Sequence, residues 1–339
     1  MFLKVQGISV IICCYNSSSR LPETLRYLAH QITEVSLAWE VILINNNSTD
    51  NTVQVGRQEW QKYAASAPLR VIDAPTPGLS AAREKGIEEA AYDFLIFCDD
   101  DNWLAPGYVQ KAYELLQAHP RVAAIGGNNL GVYEAAPPDW LPFFAHSYAI
   151  GSQGEREFQL LDGYRYVVGA GMAFKKQAYY AVKEKGFGFY LTDRIGNKVI
   201  GGGDVELCFC FKLAGYDIAY SSELTLQHYM PAARMTKQYL IKMWHQYSQS
   251  WLVFEAYKVL LDKRQGEEVL SEAYWRSIAL KRLSDKPSTL PRYIYHKLRG
   301  NIIYYLAKDA DILYNAFLLR NTSKLIRIIR ELQHKVTYE

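Results

Sequence analysis

The sequence predicts an α/β fold, a mostly parallel sheet flanked by helices and continued by a helical C-terminal extension. Three observations predict it. Short apolar runs alternate with helix-period segments from residue 8 to residue 127, as strands buried on both faces of a covered sheet do. The runs end in polar loops, "CYNSSSR", "NNNSTDN", "APTPGLS" and "CDDDNW", and open α/β sheets bind ligands at the carboxyl ends of their strands. Beyond Arg234 only the helical period remains.

The first element is the apolar run Ile8 to Cys14. Its leader, "MFLKVQGISVIICCYN", has neither a charged segment before a long apolar core nor a small-residue cleavage site, so it reads as a strand and not a signal peptide. "RLPETLRYLAHQI" follows as a helix with proline near its start. The alternation continues with strand 39–44 and helix "NTVQVGRQEWQKYA", strand 69–74 and helix "SAAREKGIEEAA", strand 93–98 and helix "PGYVQKAYELLQAH", then strand 122–127. From about Asn128 to Tyr166 the chain reads as irregular, with "EAAPPDWLPFF" a loop. A strand is expected over "YVVGAGMAF", then a glycine-rich turn, a helix beginning at Asp204 and a strand ending near His228. Two regions are expected, a catalytic one at 1–233 and a helical one at 234–339.

With 339 residues, 49% hydrophobic and 22% charged, the chain can bury an ordinary core, and disorder is excluded. The five cysteines, Cys13, Cys14, Cys98, Cys208 and Cys210, sit adjacent or one apart in apolar runs and match no zinc spacing. They read as reduced core thiols of a cytoplasmic protein. The nearest candidate for a membrane span, Ile302 to Leu319, carries Lys308, Asp309 and Asp311 in its middle. No nucleic-acid partner is expected.

The chemistry concentrates in "FLIFCDDDNWL", residues 94–104. Like charges in contact repel by several kcal/mol at an effective dielectric of about 20, so water or a cation must compensate them. On a strand, residues i and i+2 point the same way. Asp99 and Asp101 would therefore share one site while Asp100 faces away, a clamp for a hard divalent ion that leaves positions open to phosphate oxygens. The plainer reading is a turn cluster or a solvated rim. Asp204 follows three glycines: it is either an N-cap or, with Glu206, a second acidic pair beside a backbone that a ligand can approach closely. His228 is a core histidine or a ligand to metal or phosphate. Arg83 is part of a solvated helix face or a phosphate contact near a helix N-terminus.

In order and spacing, "SVIICCYN", "NNNSTDNT", "GLSAAREKGIEEA", "CDDDNW", "GAGMAF" and "GGGDVELCFCFKLAGYDIAYSSELTLQHYMP" resemble family 2 glycosyltransferases of the GT-A fold. The resemblance spans roughly residues 7–235 and implies sugar transfer, usually inverting, from a nucleotide diphosphate donor to a glycan or lipid-linked acceptor, with Mn2+ or Mg2+. It implies that Asp99 approaches the ribose, with Asp100 beside it on the donor side, and that Asp101 binds the metal. His228 would assist at the metal or diphosphate, and Asp204 would be the general base. Arg83 would contact the nucleotide, with the backbone at Tyr15 and Asn16 and the amides of Asn45 and Asn46 around the base. Three positions depart from the family pattern: Asn45 to Asn47 replace a loop that often carries an acid, Gly203 stands where a glutamate usually precedes the base, and Glu84 stands where asparagine is common. The first leaves base preference open.

Alternatives are a sugar nucleotidyltransferase, which would be expected to carry a glycine-rich basic loop after the first strand, and a non-catalytic nucleotide-sugar-binding module. A dinucleotide oxidoreductase would need G-x-G-x-x-G there, which is absent. The tail from Ser271 to Glu339 carries thirteen Lys and Arg against six Asp and Glu. Its helices either pack on the catalytic region with a solvated basic face or make a peripheral contact with an anionic inner-membrane surface.

Overall fold

The computed structural model describes residues 6–195, 198–247, 250–263, 267–284, 299 and 314–336. The first half runs β1 (Ile8–Cys14), α1 (Leu21–Ala29), β2 (Trp39–Asn45), α2 (Thr52–Gln61), β3 (Leu69–Asp73), α3 (Leu79–Glu89) and β4 (Phe94–Asp99). It continues with β5 (Asn102–Leu104), α4 (Tyr108–Ala118), β6 (Val122–Tyr133), a 3-10 segment (Leu141–Tyr148), β7 (Gly151–Ser152), β8 (Phe158–Leu160) and β9 (Ala173–Lys175). Then come α5 (Lys176–Glu184), a hairpin of β10 (Asp193–Ile195) and β11 (Lys198–Ile200), α6 (Gly203–Leu213) and β12 (Asp217–Met230). Helices α7 (Lys237–Tyr247), α8 (Trp251–Leu261), α9 (Glu272–Ser284) and α10 (Thr322–Val336) follow.

The large sheet has the order β3-β2-β1-β4-β9-β6-β12-β5, with β7 beside β6 and β8 beside β12. Its first four strands are parallel. Their runs are largely apolar because both faces are covered: Ile11, Ile42 and Ile44 enter the cluster that holds Ala82 and Ile87 of α3, while Val10, Ile12, Val41 and Leu43 enter the one that holds Leu21 and Leu25 of α1, and the polar breaks at Ser9 and Arg70 both bond to Glu40. Cys14 pairs with Asn45 and Cys13 with Asp99, which brings the polar strand ends into one line.

The second half differs from expectation in two places. Residues 128–133, expected to be irregular, continue β6 and pair in parallel with β12 as far as Met230. The pairing slips between Tyr220 and Thr225, where the bulged chain lies on Gly127 so closely that a Cβ there would be 1.7 Å from the Leu224 carbonyl oxygen. The strand expected over 166–174 shrinks to β9, because Gly171 takes a left-handed φ of +80° and turns the chain just before it. β9 then lies antiparallel between β4 and β6, so the sheet is mixed.

The C-terminal helices share the core of the sheet. Leu252, Ala256 and Tyr257 of α8, Trp275 of α9, and Leu325 and Ile329 of α10 belong to one buried cluster with Phe209 and Phe211 of α6. In α10 the residues Leu325, Ile326, Ile328, Ile329 and Leu332 face inward while Lys324, Arg327 and Arg330 face solvent. The other basic segment singled out in the tail, residues 291–308, lies outside the described residues apart from Arg299. Among the described residues no helix is long and apolar enough to cross a membrane. All five cysteines are free, four of them buried and Cys13 partly so.

Candidate functional site

β4 ends at Asp99, and Asp100 and Asp101 form a turn before β5. Strand alternation therefore stops one residue too early for Asp99 and Asp101 to act as a same-face pair. Each aspartate instead turns to its own cation. Asp99 Oδ1 lies 3.6 Å from Arg83 Nη2. Asp100 accepts from Arg20 Nη2 at 2.6 Å and Nε at 3.3 Å. Asp101, 3% exposed, accepts from Arg234 Nη1 at 3.0 Å and lies 3.6 Å from His228 Nε2. Burial alone would raise the Asp101 pKa, but His228 and Arg234 outweigh it and hold the carboxyl well below the usual range. Burial and the neighbouring Asp101 charge push Asp100 upward against its pairing with Arg20. Burial would lower His228, and Asp101 more than reverses this.

The edge strand β5 assembles this corner. It runs antiparallel to β12 with Asn102 opposite His228, and the Tyr229 N–H donates to the Asp101 carbonyl at 2.9 Å. Pro231 and a 3-10 turn over Ala232–Arg234 then send Arg234 back to Asp101. Sequence reasoning missed both β5, a three-residue element, and Arg234. The available signal was an arginine six residues after the histidine, across a proline.

A divalent ion fits here. The 3.6 Å between Asp101 Oδ1 and His228 Nε2 is too long for a hydrogen bond and suits an ion about 2.1 Å from each. Among the described residues the His228 Nδ1 is buried without a hydrogen-bond partner. Among the described residues no three His, Cys, Asp or Glu side chains converge as a metal cage. Two protein donors would leave the remaining positions to phosphate oxygens.

Arg83 is not on a solvated helix face. It is 6% exposed, with its guanidinium 4.8 Å over the Phe97 ring and, beside Asp99, 3.4 Å from Asp193 Oδ2. Gly169 forms a wall of this pocket, since a Cβ there would stand 2.5 Å from Arg83 Nη2. The same glycine's N–H donates to Asp204 Oδ2 at 2.7 Å, so one backbone unit joins Arg83 to Asp204. Asp204 occupies the first turn of α6, its other oxygen accepting from the Val205 N–H at 2.9 Å, where the helix dipole favours an anion.

Asp204 and Glu206 do not form the acidic pair that their spacing suggested. Glu206 is fully buried and accepts from the Tyr190 and Leu191 N–H groups and the Tyr257 hydroxyl, each at 3.1 Å. Burial pushes it up to about 7. Nor do the three glycines open the backbone to a ligand. A Cβ on Gly201 or Gly202 would meet Tyr247 or Phe254 at 2.4 Å, and one on Gly203 would meet Asp193 Oδ2 at 2.4 Å.

The remaining predicted residues line the ends of β1 and β2. Tyr15 is 49% exposed. Asn16 takes a left-handed φ of +50° and its Oδ1 accepts from the Thr49 N–H at 2.8 Å. Asn45 donates to Asp73 at 2.8 Å. Asn46 is buried: its Nδ2 donates to the Ala74 and Thr76 carbonyls at 2.9 and 2.7 Å, and its Oδ1 accepts from the Gly78 N–H at 2.8 Å. Its amide thereby fixes the loop that launches α3 and Arg83. Burial disfavours the ionised form of Asp50 in the same rim, but hydrogen bonds from Thr52 and Ser18 overcome this and hold it down at about 2.

The model of Glycosyl transferase family 2 matches residues 9–182. The chain belongs to this family. Asp193, Asp204, His228 and Arg234 all lie beyond the matched segment. The poly-beta-1,6-N-acetyl-D-glucosamine synthase of Staphylococcus epidermidis is 24% identical over 288 residues, covering 83% of this chain and 60% of that protein. The chain thus spans well under two thirds of that relative's length. The uncharacterized glycosyltransferase YibD of Escherichia coli K12 is 35% identical over 107 residues, 31% of this chain and 29% of that protein. Among solved structures, the mannosyltransferase of Pyrobaculum calidifontis in complex with GDP-Man and Mn2+ aligns with a TM-score of 0.52 at 16% identity, over 93% of this chain and 87% of that one. S. aureus TarS in complex with UDP-GlcNAc aligns at 0.51 and 16% identity, over 94% and 92%. At such identities the likeness is one of fold, the GT-A architecture.

Proposed function

We propose that the chain is an inverting glycosyltransferase that moves a sugar from a nucleotide diphosphate donor to a hydroxyl of a glycan or lipid-linked acceptor, assisted by Mn2+ or Mg2+. The observation that carries this is Asp204. Its carboxylate is held by backbone N–H groups at 2.7 and 2.9 Å and, among the described residues, forms no ion pair, whereas all three residues of the Asp99 to Asp101 run are matched to cations. That carboxylate is fixed at the start of α6 and stands outside the ion pairs that hold Asp99 to Asp101, which suits it to a positioned base, and the arginines beside it suit an anionic donor.

In this reading the loops at Tyr15, Asn16 and Asn45 receive the nucleoside, with Asn46 bracing the loop behind them, Asp99 and Asp100 the ribose side, and Arg83 the nucleotide. Asp101 and His228 would hold the divalent ion, which when bound supplies Lewis-acid neutralisation of the leaving diphosphate. Arg234, hydrogen-bonded to Asp101, lies where it can share that charge. Asp204 takes the acceptor's proton while the acceptor oxygen bonds to the anomeric carbon. The bond from that carbon to the diphosphate oxygen breaks on the opposite face, and a nucleoside diphosphate leaves. A positioned base of this kind contributes about 10²- to 10⁴-fold. Similarity to polysaccharide synthases supports an acceptor in surface polysaccharide synthesis, and a cytoplasmic site, peripheral at the inner membrane face.

Thermal melting with UDP, GDP, CMP and dTDP, with and without Mn2+, identifies the nucleotide. Asp204→Asn should then bind that nucleotide like the wild type and lose at least about 100-fold in transfer. Transfer at the wild-type rate would remove Asp204 from the mechanism, and failure of every nucleotide to stabilise the protein would remove the donor class.

A further inference from the structure

We propose that Asp193 is a positioning residue of the transfer site, a carboxylate delivered from β10 into the space that a side chain at residue 203 would fill, where it fixes Arg83 and the first turn of α6. This rests on the transferase reading for what Arg83 and Asp204 do. The spatial claim stands on its own geometry. Asp193 is 5% exposed. Its Oδ1 accepts from the Gly203 N–H at 2.7 Å, and its Oδ2 lies 3.3 Å from the Ser80 hydroxyl and 3.4 Å from Arg83 Nη1. One carboxylate therefore spans α3, which carries Arg83, and the start of α6, where the next residue is Asp204.

Occupation of this space is exclusive. A Cβ on Gly203 would come 2.4 Å from Asp193 Oδ2, closer than real Cβ atoms approach any atom. The Gly203 backbone does not itself demand glycine, since its φ is not left-handed. A side chain at residue 203 would therefore require the Asp193 carboxylate to move.

The arrangement is unfavourable locally. Asp193 adopts a left-handed φ of +54°, uncommon for a residue with a Cβ, and its carboxylate is almost fully desolvated. What offsets this is Arg83, a buried guanidinium whose other ion-pair partner, Asp99, is one third exposed and 3.6 Å away. Without Asp193 the guanidinium would keep only the distant, partly hydrated Asp99 and the more remote charge of Asp204.

A substitution cycle tests the exchange. Asp193→Asn keeps an acceptor for the Gly203 N–H and removes only the charge. It should raise the donor KM at least about tenfold and leave the acceptor KM unchanged, a split that a purely structural role does not produce. Asp193→Ala should lower the melting midpoint, and Gly203→Glu in the native background should do the same by collision. The double variant Asp193→Ala/Gly203→Glu restores a single carboxylate to the shared space, so it should exceed both single variants in midpoint and recover donor KM. A wild-type donor KM in Asp193→Asn, or a double variant no better than Asp193→Ala in midpoint, would overturn the proposal. The midpoint cycle needs no turnover, so rescue there together with an inactive wild type would overturn only the transferase reading.

Discussion

Asp101→Asn separates the ion pairing that the structure shows for this carboxylate from the metal binding proposed for it. The substitution keeps the side chain's shape and removes its charge. Without a divalent ion, what remains is Arg234, whose side chain is 19% exposed, and the buried His228, both facing a neutral amide. Removing one member of a buried pair costs about 3–5 kcal/mol. Two features move the expectation to the lower end: His228 can release its proton, and Asp100 is relieved of a like-charged neighbour. Urea denaturation in the presence of a chelator should therefore show a loss of about 3 kcal/mol. The second arm adds Mn2+ and the preferred nucleoside diphosphate. A ligand at about 100 times its Kd stabilises the wild type by about 2.7 kcal/mol, and the Mn2+-dependent part of that increment should vanish in the variant. Equal stability in chelator would refute the ion-pair argument, and a retained Mn2+ increment would refute Asp101 as a metal ligand.

Two further predictions concern α6 and α10. Glu206 sits at about 7 in the folded protein against an ordinary 4.5, so the folded state holds its proton more tightly. The stability it contributes is fully present below about pH 4.5 and is lost as pH rises through 7, on the order of 3 kcal/mol across that window. Glu206→Gln cannot titrate. Its Nε2 opposes one backbone N–H at every pH, so the variant should be less stable than the wild type at pH 5 and close the gap by pH 8. A gap that stays constant in urea titrations at the two pH values would sink the argument. For the tail, truncation would strip α10 from the core, so the informative variant is Lys324→Glu/Arg327→Glu/Arg330→Glu, which changes only its outer face. Flotation on anionic vesicles at low salt should fall in this variant, each near-surface basic residue contributing about 1 kcal/mol, and should fall for the wild type at high salt. Equal flotation of the two proteins would exclude this face as the membrane contact.

The parallel half of the sheet was legible because burial writes itself as nearly continuous apolar runs, and all four of its strands lie within a residue of those runs. The candidate site was legible as a set of residue types and not as a set of contacts. Asp204 stands in the first turn of its helix as expected, but Glu206 turns inward, since two successive backbone N–H groups at Tyr190 and Leu191 need an acceptor. Nothing in the spacing of Asp204 and Glu206 reveals that need. Asn46 looked like a ligand contact and instead holds three backbone groups of its own chain. The alternation argument at Asp99 to Asp101 failed because it assumed that the strand runs through all three, and a strand of three residues, β5, supplied the turn and the pairing partner that periodicity cannot detect at such length. The apolar face of α10 was legible as amphipathic, yet whether core or membrane covers it depends on α8 and α6, which are distant in sequence.

The three aspartates at the end of β4 are tolerated because each is matched from a different part of the fold: Arg20 immediately before α1, Arg83 in α3, and Arg234 after β12. This has a consequence for the proposed reaction. A nucleotide diphosphate brings further negative charge to a rim where carboxylates already occupy the guanidinium groups, so it binds only if some of those pairings are exchanged. Asp99 is the easiest to displace, since it is the most exposed of the three and its arginine is also held by Asp193. Asp101 is the hardest, being buried against two cationic groups, and an ion that replaces Arg234 as its counterion would free that arginine for phosphate. Order then follows from charge. The divalent ion and the diphosphate should bind together and not in sequence, because either alone leaves one component of this matched set without its countercharge.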